Sequence, residues 1–330
     1  MKLNNLYENT FLYFDEGPHK YTDNLGNEYK SVTTLISDYY PHFDVDYWAH
    51  KKAREQGKSE KQIKAEWDRI KNEACGRGTD THNGLENAIK SGSRFADAIQ
   101  HLVQVRTGRC ITVADIPNLI PVPLDLDAFK EATNNKYPEI YRVFQFYLDR
   151  GYTIYSEIAV FLIPFRISGT IDILCVKEDD FVILDWKTNR DGLKFESGYY
   201  KKDKTTIPNQ LTNEWVTTNE KMLPPLAHLP NCNGYHYTMQ LSLYALMVEI
   251  ILHIPCVGLG LCHIGSPWVL NGYGQPFRDV DGYHIDPNGV ETVKWHRISY
   301  LRQEAKALLD DRFTKIKAER KESNIQLTLF

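Results

Sequence analysis

The clearest pattern along the chain is an apolar, β-branched run from Gly169 to Val176, the polar turn Lys177-Glu178-Asp179-Asp180, and a second apolar run from Phe181 to Lys187. Two such runs around a short polar turn predict a β-hairpin. Upstream, Tyr152 to Ile163 reads as a strand. Before it, Pro138 to Arg150 reads as a helix, with proline in the first turn and Gly151 just past the end. Phe11 to Tyr29 predicts a hairpin turning at residues 23–27. Asp44 caps a helix through Arg54, Ser59 caps another through Asn72, and Thr79 begins a third. Cys110 to Pro123 is broken by proline and reads as a loop. Asn189 to Asn233 is long, polar and proline-marked, a length that implies a functional role or local structure of its own. Gly234 to Ile254 predicts a helix, Cys256 to Ile264 a buried strand, Trp268 to His284 a β-excursion, and Tyr300 to Arg320 a terminal helix.

The hairpin places chemistry. If Val176 pairs with Phe181, Asp172 falls opposite Asp185, with Cβ atoms about 5 Å apart. Carboxylates that close repel unless a cation lies between them. Alternation puts Lys187 on the same face, diagonal to Asp172. Two acids and a lysine converging on one point suit a divalent metal and a phosphate. Asp185 stands in a Val/Ile/Leu-rich strand, where burial of an unpaired acid is costly.

Asp172, followed by Asp185-Trp186-Lys187, resembles the signature of the PD-(D/E)xK nuclease superfamily. Gly76-Arg77-Gly78-Thr79-Asp80-Thr81-His82 resembles the glycine-threonine-histidine motif of its RecB-like exonuclease branch, and Gln240 to Tyr244 resembles that branch's QxxxY helix. The aromatic hairpin and the helix start at Ser31-Val32-Thr33 are similar to those of phage-type members. The resemblance implies an α/β fold: a restriction-endonuclease-like core with a mixed central sheet flanked by helices, an N-terminal hairpin and helical elaborations. It implies a metal-dependent DNA exonuclease of phage or bacterial replication, recombination or repair. A structure-specific endonuclease and a catalytically silent DNA-binding module are the alternatives. Asp172, Asp185, His82 and the Trp186 backbone carbonyl would hold Mg²⁺ or Mn²⁺. Lys187 would act on water and on developing charge. Gln240 would hold the lysine or the scissile phosphate, and Tyr244 would buttress the DNA strand end. Glu157 would hold a metal-bound water, or else face solvent on an edge strand.

Composition adds limits. A chain of 330 residues with 42% hydrophobic content suits one elaborated domain. Its expected parts are N-terminal hairpin and helices (1–75), nuclease core (76–298, with an insertion at 189–233), terminal helix (299–322) and tail (323–330). The longest apolar candidate, Met239 to Ile254, is interrupted by Glu249 and His253, so no membrane span is expected. With no apolar leader after Met1, a reducing cytoplasm is expected. Six scattered cysteines include no CxxC pair, so no iron–sulfur cluster is expected. A net charge of −4 excludes a protein that coats DNA through its whole surface. The Lys- and Arg-rich segments Lys51 to Lys71 and Lys294 to Lys321 read as helices with solvated faces. Between Lys187 and Lys204 stand Arg190, Lys194, Lys201 and Lys202, with Tyr199 and Tyr200. Cations beside aromatics suit the backbone and bases of single-stranded DNA. Finally, Gln326, Leu327, Leu329 and Phe330 resemble the pentapeptide that binds the bacterial β sliding clamp, provided that the tail is free; otherwise it forms a docked strand.

Overall fold

The computed structural model describes residues 12–15, 20–23, 25–91 and 123–327, with backbone alone at 13, 14, 91 and 320–327. β1 (Leu12–Asp15), β2 (Lys20–Asp23) and β3 (Glu28–Ser31) form an antiparallel meander. The Asp23 carboxylate closes the β2–β3 turn by accepting from the backbone N–H groups of Leu25 (2.9 Å) and Asn27 (2.8 Å). Ser31 ends β3 and caps α1 (Val32–Ser37), its hydroxyl accepting from the Thr34 N–H at 3.0 Å. Asp44 caps α2 (Val45–Gln56), which stops at Gly57 in the left-handed region.

β3 runs parallel to β5 (Ile167–Val176) at its first residues, Ile167 and Ser168. β4 (Thr153–Leu162) lies antiparallel along the whole of β5, and β6 (Phe181–Lys187) pairs with the far end of β5 in the expected hairpin, Val176 opposite Phe181. β9 (Cys256–Gly265) is parallel to β6, and β10 (Thr292–Ile298) is antiparallel to β9. The sheet is therefore mixed. Along the β5 edge opposite β4, β3 holds one end and β6 the other, leaving the stretch from Gly169 to Asp172 between them.

Both faces of this sheet are covered. One carries α1, α6 (Asn233–Leu252) and α7 (Arg302–Leu327), packed on Ile171, Leu174, Ile183 and Leu261. Leu241 through Val248 are all buried, because α6 lies between the sheet and its neighbouring helices. The other face carries the end of α3 (Glu60–Ser91), α4 (Leu126–Ala132) and α5 (Pro138–Leu148), packed on Ile154, Ile173, Leu184 and Trp186. Each fully buried Leu, Ile or Phe contributes about 1.5–3 kcal/mol, so these two layers fix the sheet on which the acids stand. A small third cluster, Ala49, Ala53 and Ile63, joins α2 to α3.

Several expectations need correction. The Ser59-capped helix does not end at Asn72; α3 runs unbroken from Glu60 to Ser91 through Gly76 and Gly78. Neither glycine takes the left-handed conformation that would end a helix, so the pair weakens the helix without breaking it. The expected boundary at 75/76 thus falls inside a helix. Lys294 lies on strand β10, where Val293 and Trp295 pack on the second core with strand alternation. The 189–233 insertion contains a two-stranded ribbon, β7 (Gly198–Asp203) and β8 (Gln210–Thr217). The terminal helix continues to Leu327, since no Gly or Pro interrupts residues 302–327. The expected tail from 323 is therefore helical as far as Leu327, and Leu329 and Phe330 lie outside the described residues. The loop expected before Pro123 also lies outside them. Among the described residues, no helix is long and apolar enough to cross a membrane.

Candidate active site

The hairpin ladder ends at Ile173 and Leu184. One step further, Asp172 meets Asp185, and the strands separate. The Asp172 carboxylate takes over from the lost ladder, accepting from the Trp186 backbone N–H at 3.0 Å. Across the other edge of β5, continuing the β4 register sets Glu157 opposite Asp172. Glu157 adopts φ 52°, a left-handed conformation that interrupts the pairing between Ser156 and Ile158. Three acids thus stand in a row across β4, β5 and β6. At this level the faces exchange: Ile154 and Ile173 point into the second core, Ile158 and Ile171 into the first.

That break lets helices from opposite faces reach one site. From α3 comes a stripe at four-residue spacing, Gly78, His82, Glu86 and Lys90. A Cβ on Gly78 would lie 3.2 Å from the Thr188 hydroxyl, so glycine brings α3 close to the end of β6. His82 Nδ1 lies 3.4 Å from Asp172 Oδ2, and its imidazole lies beside the Trp186 backbone. From α6 come Tyr237, Gln240 and Tyr244. The Lys187 ammonium sits 4.5 Å from the centre of the Tyr237 ring. Tyr244 is buried against Gly169, where an added Cβ would come within 2.6 Å of its ring. The Gln240 side chain lies beside the Tyr244 hydroxyl. Tyr244 is therefore placed to position its neighbours rather than to meet a strand end.

The electrostatics follow from burial. Asp185 is 2% exposed. Burial, then the Asp172 charge, push its carboxyl up to about 6, against the pull of Lys187. Asp172 is raised by burial as well. Glu157 is pushed up to about 9 by burial, then by Asp172 and Glu86, so it stays protonated at neutral pH instead of facing solvent as a charged edge residue. Burial disfavours the Lys187 ammonium, but Asp185 and Asp172 offset this and hold it above the ordinary lysine value. Burial, then Lys187, lower His82, leaving a neutral imidazole able to ligate a metal.

Lys187 forms an ion pair with Asp185 Oδ2, an oxygen that has no well-aligned hydrogen bond from the described residues. No three His, Cys, Asp or Glu side chains among the described residues are already drawn together as a cation cage. The donor set still fits a hard cation. Asp172, Asp185 and the Trp186 carbonyl offer oxygens, His82 offers a nitrogen, and the carboxylates carry charge that a cation would relieve. Glu86, Lys90 and Tyr237 were not singled out as site residues from the sequence. The spacing from His82 to Glu86 and Lys90 was visible in it, but not the sheet break that points this helix face at the acids.

The basic stretch is less uniform than expected. Arg190 is engaged with Asp191 and lies 4.1 Å over the Tyr283 ring. Lys194 donates to the Tyr200 hydroxyl at 2.6 Å and lies over the Tyr200 and Trp215 rings. Lys201 pairs with Glu214, while Tyr199 is 56% exposed. Lys202 is exposed, with no ion pair among the described residues. Comparison of the chain with protein-family models, curated proteins and solved structures returned no match.

Proposed function

We propose that the protein is a metal-dependent DNA exonuclease of the PD-(D/E)xK, RecB-like kind, built on a restriction-endonuclease-like core. The observation that carries this reading is the meeting of Asp172, Asp185, Lys187 and His82 at the break between β5 and β6. Asp172, Asp185, His82 and the Trp186 carbonyl would hold Mg²⁺ or Mn²⁺. When bound, such an ion would supply Lewis-acid stabilisation and a more acidic water.

The chain's own groups do the rest. Lys187, held as an ammonium by the two aspartates, neutralises charge building on the non-bridging oxygens. Protonated Glu157 has a proton to donate at the edge of the acid row, where it orients water. Gln240 and Tyr244 fix the α6 side of the site, and Tyr237 confines the lysine head. The side chains from Arg190 to Lys202 flank the path beyond the end of β6.

The test uses end-labelled linear DNA and closed circular DNA, single- and double-stranded, with Mg²⁺ or Mn²⁺. Mononucleotides or short oligomers released from linear ends, with circles untouched, are expected. Cleaved circles would make the enzyme an endonuclease. No cleavage of any substrate would leave a silent DNA-binding module as the reading.

A further inference from the structure

The outer face of α2 and Phe43, just before its cap, carry large rings that the fold does not cover. α2 is anchored to α3 through Ala49, Ala53 and Ile63, which leaves Phe43 55%, Tyr47 57% and Trp48 37% exposed. The Phe43 and Trp48 rings are parallel within 3°, with centroids 6.3 Å apart, and Trp67 of α3 backs Phe43 edge-on. The Lys51 ammonium lies 4.9 Å over the Trp48 ring and has no acid partner among the described residues. The nearby acids are engaged: Asp46 with Lys64, and Asp44 with the Tyr47 N–H. An amphipathic helix whose small residues face inward has no structural need for three exposed rings.

A line of positive charge joins this face to the acid site. Arg190 lies just past Lys187 and faces the Tyr283 ring, whose other cationic neighbour is Arg278 at 5.9 Å. Arg278 pairs with Glu66 of α3, and its backbone carbonyl accepts from Gln210 of β8. These bonds tie α3, the 266–290 excursion and the β7–β8 ribbon into one wall. Lys202 of β7 keeps an exposed side chain with no ion pair among the described residues, and partial burial, then the like charges of Lys52, Arg278 and Arg190, lower its ammonium below the ordinary lysine value against the pull of Glu55. Lys52, Arg278 and Arg190 are each paired with one acid, Glu55, Glu66 and Asp191, whereas Lys202 is left free to meet an anion.

We propose that Phe43, Tyr47, Trp48 and Lys51 stack unpaired bases of single-stranded DNA, whose backbone passes Lys52, Lys202, Arg278 and Arg190 toward the acid site. Phosphate alone would need the cations but not the rings. Exposed rings beside cations match bases with free π-faces, which a paired duplex does not present. The direction of the path rests on the nuclease reading; the stacking surface does not.

The experiment measures fluorescence anisotropy of labelled oligo-dT and of a blunt duplex of equal length, with full-length protein in EDTA, so that no cleavage enters. The double variant Tyr47→Ala/Trp48→Ala should bind oligo-dT at least about tenfold more weakly and the duplex within about twofold of wild type. Trp48→Phe keeps a ring, controls for folding, and should retain most of the affinity. Lys202→Gln should reduce the slope of log affinity against log salt by about 0.7. Unchanged oligo-dT binding by the double variant, equal losses on both DNAs, or no oligo-dT binding by wild type would overturn the proposal; the first would leave the rings to a protein partner. Loss of stacking affinity in a protein that cleaves no DNA would instead overturn the nuclease reading and leave the surface standing.

Discussion

At the level of single residues, the acid row costs the fold stability. Burial, then the Asp172 charge, push Glu157 up to about 9 and Asp185 up to about 6, both above their unfolded values. The native metal-free protein therefore holds protons that the unfolded chain has released, and folding takes protons up. The stability linked to these protons is fully present below about pH 4 and is lost as pH rises through 6 and then 9. Metal-free protein should thus melt at a higher temperature at pH 5 than at pH 8 in calorimetry, and Glu157→Gln should flatten the difference. Asp185→Asn should raise the metal-free melting temperature at pH 8 while abolishing cleavage, because it relieves the repelling pair. A lower melting temperature for Asp185→Asn would mean that its ion pair with Lys187 outweighs the repulsion. Gly169 has a steric role. Gly169→Ala drives a Cβ into the Tyr244 ring and should destabilise the protein by about 1–3 kcal/mol in urea unfolding, whereas Gly169→Ala with Tyr244→Phe should recover little, since the clash includes ring carbons.

Among the elements, α3 departs most from expectation. The sequence predicted two helices separated by a glycine-bearing motif, because Gly76 and Gly78 lower local helix propensity. The structure has one helix, in which a Cβ added at Gly76 would meet nothing within 4 Å, while one added at Gly78 would meet Thr188. The two glycines should therefore respond differently. Gly76→Ala should stabilise the protein by roughly 0.5–1 kcal/mol. Gly78→Val should push α3 away from β6, weaken Mn²⁺ binding through His82, and leave the sheet intact by circular dichroism. Equal behaviour of the two variants would remove the close-approach role given to Gly78. The β5–β6 hairpin, by contrast, was legible down to register, because four polar residues between apolar runs allow one pairing that keeps both strands buried. Glu157 was legible as a strand residue but not in its surroundings. Its left-handed backbone and its alignment with Asp172 depend on β4–β5 pairing, which no local pattern encodes.

Across the whole molecule, the mixed sheet with helices on both faces agrees with the sequence reading, while the finer family core belongs to the proposal. Long-range placement was the part the sequence did not carry. It placed Lys202 in a basic stretch of a long polar segment and did not mark Trp48 in the Asp44-capped helix; the ribbon and the excursion that ties it to α3 appear only in the structure. The C-terminus shows the same limit. Gln326 and Leu327 read as part of an extended clamp-binding peptide, yet they complete α7. Clamp binding would therefore require the last turn to unwind, at a cost to affinity. Truncation after Asn324 should leave metal-dependent cleavage of naked DNA unchanged and remove any binding to a bacterial sliding clamp in surface plasmon resonance. Equal clamp binding by full-length and truncated protein would show that the tail takes no part. The central claim, that the break between β5 and β6 is a hydrolytic metal site, is tested most directly by Mn²⁺-dependent digestion of end-labelled linear DNA by wild-type, Asp172→Asn, Asp185→Asn and Lys187→Ala proteins, with Mn²⁺ binding followed by calorimetry on the same samples. The predicted result is cleavage by wild type alone, with Mn²⁺ binding lost in the two aspartate variants and kept in Lys187→Ala; near-normal cleavage by Asp185→Asn would contradict it.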